Sequence, residues 1–331
     1  MPRIYSAALA TGILLFLVPG IMATENWDDH DRSDRYTARE FAKNYLRSCE
    51  PNAIIFTNGD NDTFPLWYVQ EVERFRTDVK VINLSYLNTD WYAQQMTRKT
   101  YDAPPVPFSM TIDKYRQGTR DAVFLQDRTK KHVELKTVID YIASDDMRTK
   151  RVQGDRVIYF APTRRFKITV DSAQVLKTGT VQPEDDSLMV DQMRWALGKN
   201  KSYLSKSEML LFDLLAHNEW NRPVYYAVTV SRSTYLNLQN YFQLDGMTYR
   251  IVPIRTKSDP GRYGHINTDI LYENMMNKFD MGGCADPDVY LDENNVRMLM
   301  NLKNNYGMLA RELLAEGDKT RAMKVMDHVT E

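Results

Sequence analysis

Residues 53–65 of the chain read AIIFTNGDNDTFP. The apolar run at 53–57 has the length of a buried strand, and the Asn- and Asp-rich turn after it opens an amphipathic helix from Leu66. A second unit follows at once, with the strand VKVINL at 79–84, a turn at 88–91 and another helix. Strands that alternate with helices predict a parallel sheet, in which both turns lie at the carboxyl edge where ligands usually bind.

The alternation of strands and helices continues to about residue 254, with a short helix predicted at 188–197 and capping boxes that begin at Thr37 and Ser205. Helical spacing then dominates, and a Gly317-Asp318 turn between Ala310 and Ala322 is typical of a tetratricopeptide-like hairpin. We predict an α/β fold with an N-terminal transmembrane helix, a mostly parallel sheet flanked by helices, and an all-helical tetratricopeptide-like tail. The predicted segments are the helix at 1–25, the α/β domain at 26–260 and the tail at 261–331.

Residues 4–24 carry no charge and are long enough to span a bilayer as a helix. A cleaved signal peptide is the alternative, since Arg3 precedes the run and Ala23 could precede a cleavage site. Arg3 before the span and acidic residues after it predict an inner-membrane location with the bulk of the chain extracytoplasmic, in the periplasm.

The bulk composition is that of a folded globular protein. The 331 residues are 43% hydrophobic and 26% charged, and the net charge is −1. Because Lys and Arg are scattered and balanced by acidic residues, we expect no nucleic-acid partner. No Walker loop, dinucleotide fingerprint or Ser/His/Asp order supports a hydrolase or a nucleotide-binding protein.

The two turns at the predicted carboxyl edge supply the candidate ligand-binding residues. These are Asn58, Asp60, Asn61, Asp62, Asn88, Thr89, Asp90 and Trp91. Carboxylate and amide oxygens suit a divalent cation, with Asp60 and Asp62 as its metal ligands, and a Trp beside them suits a sugar ring. The alternative is local structure, in which Gly59 supplies the turn and Asp62 or Thr63 caps the helix.

A second polar cluster lies just after the apolar span, at Asp28, Asp29, His30 and Asp31. It could contact a membrane-embedded partner, or it could form a salt-bridged linker with the nearby arginines. His217, at the end of a predicted helix, is expected to cap that helix rather than to act in catalysis.

Several blocks together resemble a known family. They are residues 26–35, 56–68, 83–92, 218–230, 241–253 with the string YFQLDG, 267–278 and 289–297. The resemblance is to the carboxy-terminal extracytoplasmic part of bacterial polytopic membrane proteins grouped with GT-C-type protein O-mannosyltransferases, which end in tetratricopeptide-like repeats. It implies that residues 4–24 form the last of many transmembrane helices. GT-C enzymes carry their catalytic carboxylate in an early loop between membrane helices, so the resemblance assigns no catalytic residue to this chain.

The function expected from these patterns is that of an accessory module of a membrane-embedded glycosyltransferase. The module would present an acceptor protein or glycan, with the helical repeats as an arm for a protein partner. The alternatives are an independent secreted α/β metal-dependent enzyme and a non-catalytic protein-docking scaffold.

Overall fold

The computed structural model describes residues 2–27, 32–154, 156–258 and 263–330. The predicted α/β fold, with an apolar N-terminal helix and a helical tail, is confirmed. Among the described residues the helices are α1 (Pro2–Asn26), α2 (Thr37–Arg47), α3 (Asp60–Glu71), α4 (Asp90–Met96), α5 (Ile112–Tyr115), α6 (Leu135–Ala143), α7 (Ser172–Lys177), α8 (Lys206–His217), α9 (Thr268–Tyr272), α10 (Glu293–Glu316) and α11 (Lys319–Thr330).

The strands form three mixed sheets rather than one mostly parallel sheet. They are β1 (Ile54–Thr57), β2 (Lys80–Asn83), β3 (Ala122–Leu125), β4 (Val133–Glu134), β5 (Lys150–Gln153), β6 (Arg156–Ala161), β7 (Arg165–Thr169), β8 (Gln192–Ala196), β9 (Tyr203–Ser205), β10 (Val224–Ala227), β11 (Phe242–Leu244) and β12 (Thr248–Ile251). The strand orders are β11-β12-β10-β1-β2, β5-β6-β3-β9 and β4-β7-β8. Antiparallel strands extend or flank the parallel pairs in each sheet.

The five-stranded sheet is the centre of the molecule. Its strand β1 lies between β10 and β2 and runs parallel to both, with Ile55 opposite Tyr225 and Val81. Every residue of these three strands is buried, which explains why their sequences are apolar without alternation. The amphipathic helix α2 packs Phe41 and Tyr45 into the same core.

Helix α1 is long and apolar enough to cross a bilayer. An 18-residue window within residues 3–26 has a mean hydropathy of 2.0, and none of that window is buried against the rest of the described chain. A helix with these properties suits either a membrane anchor or a signal sequence.

The tail forms a helical hairpin, as predicted. Gly317, in a left-handed conformation with φ of 88°, ends α10 before α11 begins, and Ala310 and Ala322 are both buried. Leu302 and Tyr306 of α10 belong to the same apolar core as the central sheet. The tail therefore packs on the α/β part of the chain.

Two local predictions are wrong and one is confirmed. Residues 192–196 form β8 and not a helix, because Met193 and Trp195 point inward while Arg194 is exposed, a period of two. The capping box at Thr37 is absent, since α2 begins after Tyr36 without a side-chain cap. The box from Ser205 to Glu208 is present at the start of α8.

Candidate functional site

The two predicted turns lie side by side at the carboxyl edge of β1 and β2. These strands run parallel, so the loop that begins at Asn58 and the loop that begins at Leu84 leave the same edge of the sheet. The hydroxyl of Ser85 donates to Asn58 Oδ1 over 3.1 Å and joins the two loops. Asn58 is half-buried, and Asp60 and Asn61 are exposed at the first turn of α3.

Asp62 points inward, into a network of hydroxyl groups. It is 4% exposed, and it accepts hydrogen bonds from Thr229 Oγ1 at 2.7 Å and Thr63 Oγ1 at 3.2 Å. Thr63 in turn receives a bond from Asn83 Nδ2 at 2.9 Å, so the network reaches the end of β2. Burial raises the pKa of Asp62, although these hydroxyls partly offset the effect. The network links the ends of all three parallel strands.

The start of α3 follows the local-structure alternative only in part. Gly59 lies before the helix as expected, but it is itself the N-cap residue, and neither Asp62 nor Thr63 makes a side-chain cap. Thr63 Oγ1 instead lies 2.6 Å from the carbonyl oxygen of Gly59, so its single hydroxyl proton is shared between this carbonyl and Asp62. Among the described residues no group of three or more His, Cys, Asp or Glu side chains comes together to hold a metal ion. A metal site at Asp60 and Asp62 therefore stays a prediction. It would have these two carboxylates as ligands, with no third acidic, His or Cys ligand among the described residues.

The second turn is fastened to the start of α8. Asn88 Oδ1 accepts a hydrogen bond from Ser207 N at 3.1 Å, and Thr89 Oγ1 donates to the carbonyl of Tyr86 over 2.7 Å. Asp90 pairs with the buried amine of Lys206. Burial opposes the Asp90 charge, but the hydrogen bond from Lys206 lowers the pKa of this carboxyl below its usual value. Asp62 bonds to Thr229 and Thr63, whereas Asp90 bonds to Lys206 and Gln117, so among the described residues no shared partner joins the two carboxylates.

An aromatic cleft lies beside these turns, with a volume of about 300 Å³. Trp67 of α3 and Trp91 of α4 line it, and both rings contact Tyr86 and Tyr92. Trp91 is 61% exposed, which is unusual for so large an aromatic side chain. Of the sequence-predicted site residues, Trp91 is the one that lines this cleft.

Sequence reasoning missed most of the aromatic cleft. Its polar groups include Gln70 and Glu71 on α3, Gln95 on α4 and Lys80 on the edge strand β2. Lys80 Nζ donates to the carbonyl of Arg98 over 2.9 Å, and burial lowers the pKa of Lys80 to about 8. The available signal was helical spacing, because Trp67 with Glu71 and Trp91 with Gln95 are each four residues apart and share a helix face.

The structure describes His217 but not the acidic cluster that was predicted after the apolar span. The cluster Asp28, Asp29, His30 and Asp31 lies outside the described residues. His217 Nδ1 lies 2.9 Å from Asp213 Oδ1, and the hydroxyl of Ser109 donates to the same carboxyl over 2.6 Å. Because Ser109 bonds to Asp213 and not to the imidazole, this arrangement braces the end of α8 and does not form a nucleophilic triad.

Comparison with known proteins gives one family. The family model described as TMEM260-associated domain 2 matches residues 38–270, which is more than half of the chain. The chain belongs to this family. In this TMEM260-associated domain the matched region holds the sheets and the aromatic cleft, whereas α1, α10 and α11 lie outside it. No curated protein and no solved structure matches the chain. The family and the apolar helix α1 together make this a membrane-protein-associated domain.

Proposed function

We propose that this chain is the extracytoplasmic accessory module of a membrane-embedded glycosyltransferase similar to GT-C-type protein O-mannosyltransferases. It holds the acceptor protein or glycan near the bilayer, and a membrane part outside this chain transfers the sugar. Membership in a TMEM260-associated family and the apolar helix α1 support a place beside a membrane enzyme. Arg3 near the start of α1 and Glu25 near its end favour an extracytoplasmic, periplasmic position for the rest of the chain.

The observation that carries the acceptor-binding role is the aromatic cleft. Trp67 and Trp91 offer large apolar ring faces beside the amide of Gln95 and the carboxyl of Glu71. Exposed Trp rings bordered by polar groups suit a sugar ring or an extended peptide, because the rings bury area at small cost in side-chain entropy. The candidate residues Asn58, Asp60 and Asn61 lie nearby at the start of α3, where they could contact the rest of an acceptor.

The test replaces the native gene by one that encodes the Trp67→Ala or the Trp91→Ala variant. Quantitative mass spectrometry then measures the fraction of cell-envelope proteins that is O-glycosylated. We expect each variant to lower the glycosylated fraction several-fold, as truncation of a central aromatic contact does. The control is Tyr290→Ala, an exposed aromatic residue (48%) outside the aromatic cleft. Normal glycosylation in both Trp variants, at normal protein levels, would contradict the acceptor role.

A protein-docking role for the tail is a second component of the proposal. Leu314 of α10 and Met323 and Met326 of α11 are 51–66% exposed on the hairpin. Adjacent exposed apolar side chains of this kind mark surfaces that bind proteins. The tetratricopeptide-like assignment rests on the Ala310, Ala322 and Gly317 pattern, and we propose that the hairpin binds a helical protein segment in the same way that such repeats stack.

A further inference from the structure

A larger cleft lies at the opposite edge of the central sheet. This amino-edge cleft, of about 520 Å³, lies where β10 begins at Val224 and β12 ends at Ile251. Ile168 of β7 and Met193 of β8 line its other side, so it forms the junction between the central sheet and the three-stranded sheet. Its volume is in the range of ligand sites. The acceptor role proposed for the aromatic cleft does not use it.

One buried polar group in this cleft is unsatisfied. Asn218 lines the cleft and is 6% exposed. Its Nδ2 donates to the carbonyl of Arg222 over 2.7 Å, but its Oδ1 is buried without a hydrogen-bond partner among the described residues. Leaving a buried acceptor unpaired is unfavourable, so native proteins rarely retain such a group without a reason.

The loop after Asn218 is held in an unusual conformation. Glu219 and Trp220 are consecutive non-glycine residues in the left-handed region, with φ of 47° and 59°. Such strain clusters at ligand-binding positions, where the surrounding structure enforces it. Here the bond from Asn218 to Arg222 closes the loop, and Gln174 Nε2 of α7 donates to Asn221 Oδ1 over 2.8 Å across the cleft. The result places a half-buried Trp ring in the cleft wall.

The charges of the described lining residues cancel. Three are acidic and three are basic: Glu134, Asp171, Glu219, Lys136, Lys177 and Arg222. Arg222 donates to the carbonyls of Asn52, Ala53, Pro104 and Pro105, so its guanidinium is engaged in the protein. A cleft of this balance offers no net attraction to a charged ligand.

We propose that the amino-edge cleft binds an uncharged carbohydrate segment, with a sugar ring on the indole of Trp220. The amide pair of Gln174 and Asn221 retains an acceptor on Gln174 Oε1 and donors on Asn221 Nδ2, which match the hydroxyl groups of a sugar. A hydroxyl that enters as the loop adjusts would give Asn218 Oδ1 its missing donor. This site is separate from the aromatic cleft, so either site can fail without the other.

The experiment uses the full chain with 5-fluorotryptophan, in a zwitterionic detergent that carries no sugar headgroup. Trp220→Phe assigns the fluorine signal of Trp220. Three uncharged trisaccharides, maltotriose, mannotriose and chitotriose, are titrated to high millimolar concentration. We expect at least one of them to shift the Trp220 signal in a saturable manner, whether or not the Trp67 and Trp91 signals also move.

Two variants test the contacts without removing the tryptophan. Gln174→Leu and Asn221→Leu should each weaken the binding of that trisaccharide at least fivefold, whereas the exposed-site control Tyr290→Ala should not change it. The proposal is overturned if none of the three sugars moves the Trp220 signal. It is also overturned if the signal moves only with an uncharged peptide, such as Gly-Ser-Gly-Ser with an acetylated amino terminus and an amidated carboxyl terminus, or if both leucine variants bind like the parent.

Discussion

Replacing Arg250 by Met should strongly destabilise the folded domain. Arg250 is 1% exposed, and its Nε donates to Asp245 Oδ2 over 2.6 Å. It also reaches Glu50 Oε1 at 3.2 Å and the carbonyl of Gly179 at 2.9 Å, so one side chain joins four segments of the chain. Burial works against the guanidinium charge, yet the facing Asp245 carboxylate raises the pKa of Arg250 above its usual value.

The size of the effect follows from what the variant leaves behind. Asp245 is fully buried, and without Arg250 its carboxylate retains only Gln243 Nε2 as a side-chain donor among the described residues. Removing one partner of a buried ion pair costs about 3–5 kcal/mol. For about 300 folded residues the unfolding entropy is about 0.6 kcal/mol/K, so the Tm should fall by about 5–8 °C.

The assay is thermal unfolding in detergent, followed by intrinsic fluorescence. The matched control is Arg297→Met, whose ion pair with Glu293 on α10 is exposed on both sides, and it should lower the Tm by less than about 1 °C. The double variant Arg250→Met with Asp245→Leu should recover part of the loss, because no buried charge remains unpaired. A decrease below about 2 °C for Arg250→Met would refute the reasoning.

Three further predictions concern other described residues. The hydrogen bond to Asp213 raises the pKa of His217 above its usual 6.5, so His217→Gln should lower the Tm most below pH 6.5. The effect should disappear as the pH rises through the folded-state pKa of His217. A decrease in Tm that does not depend on pH would contradict this. Burial raises the pKa of Asp62, so its charge opposes folding at pH 7, and Asp62→Asn should raise the Tm there. The gain in Tm should become smaller as the pH falls toward 3.8. A variant that is less stable than the parent at pH 7 would contradict a raised pKa for Asp62. The double variant Met323→Lys and Met326→Lys should leave the Tm nearly unchanged, because both side chains are exposed. It should abolish the binding of the helical protein segment in pull-downs with purified protein. Unchanged binding would show that this face of α11 is not the docking surface.

The local parts of the fold could be predicted from sequence because short-range patterns determine them. The buried run at 54–57 and the apolar run around Val81 gave the two central parallel strands, and Ser205 with Glu208 gave the start of α8. The prediction of a helix at residues 192–196 was wrong because a short apolar segment fits a helix or a strand equally well. Only the pairing with β7, which sets Trp195 opposite Phe166, decides between them.

The position of the candidate site could be predicted from the sequence, but the hydrogen bonds and ion pairs of its residues could not. The turns were expected at one edge, and Ser85 does contact Asn58 there. The partners of the second turn, however, come from Lys206 and Ser207, more than a hundred residues away along the chain. The amino-edge cleft depends in the same way on α7 meeting the Trp220 loop, and no local spacing indicates that meeting.

The string YFQLDG, which carried part of the family resemblance, has a structural role. Asp245 holds Arg250 inside the core, and the carbonyls of Asp245 and Gly246 accept hydrogen bonds from Asn274 at 2.7 Å and Asn305 of α10 at 2.8 Å. Gly246 has φ of 123°, and a Cβ there would lie 2.6 Å from Ser48 Oγ, so only glycine fits. Asp245 and Gly246 of this string therefore join the helical tail to the central sheet. Since that joint is buried and hydrogen-bonded, a protein bound on α10 and α11, as we propose, would sit on a part of the chain that is packed against the central sheet.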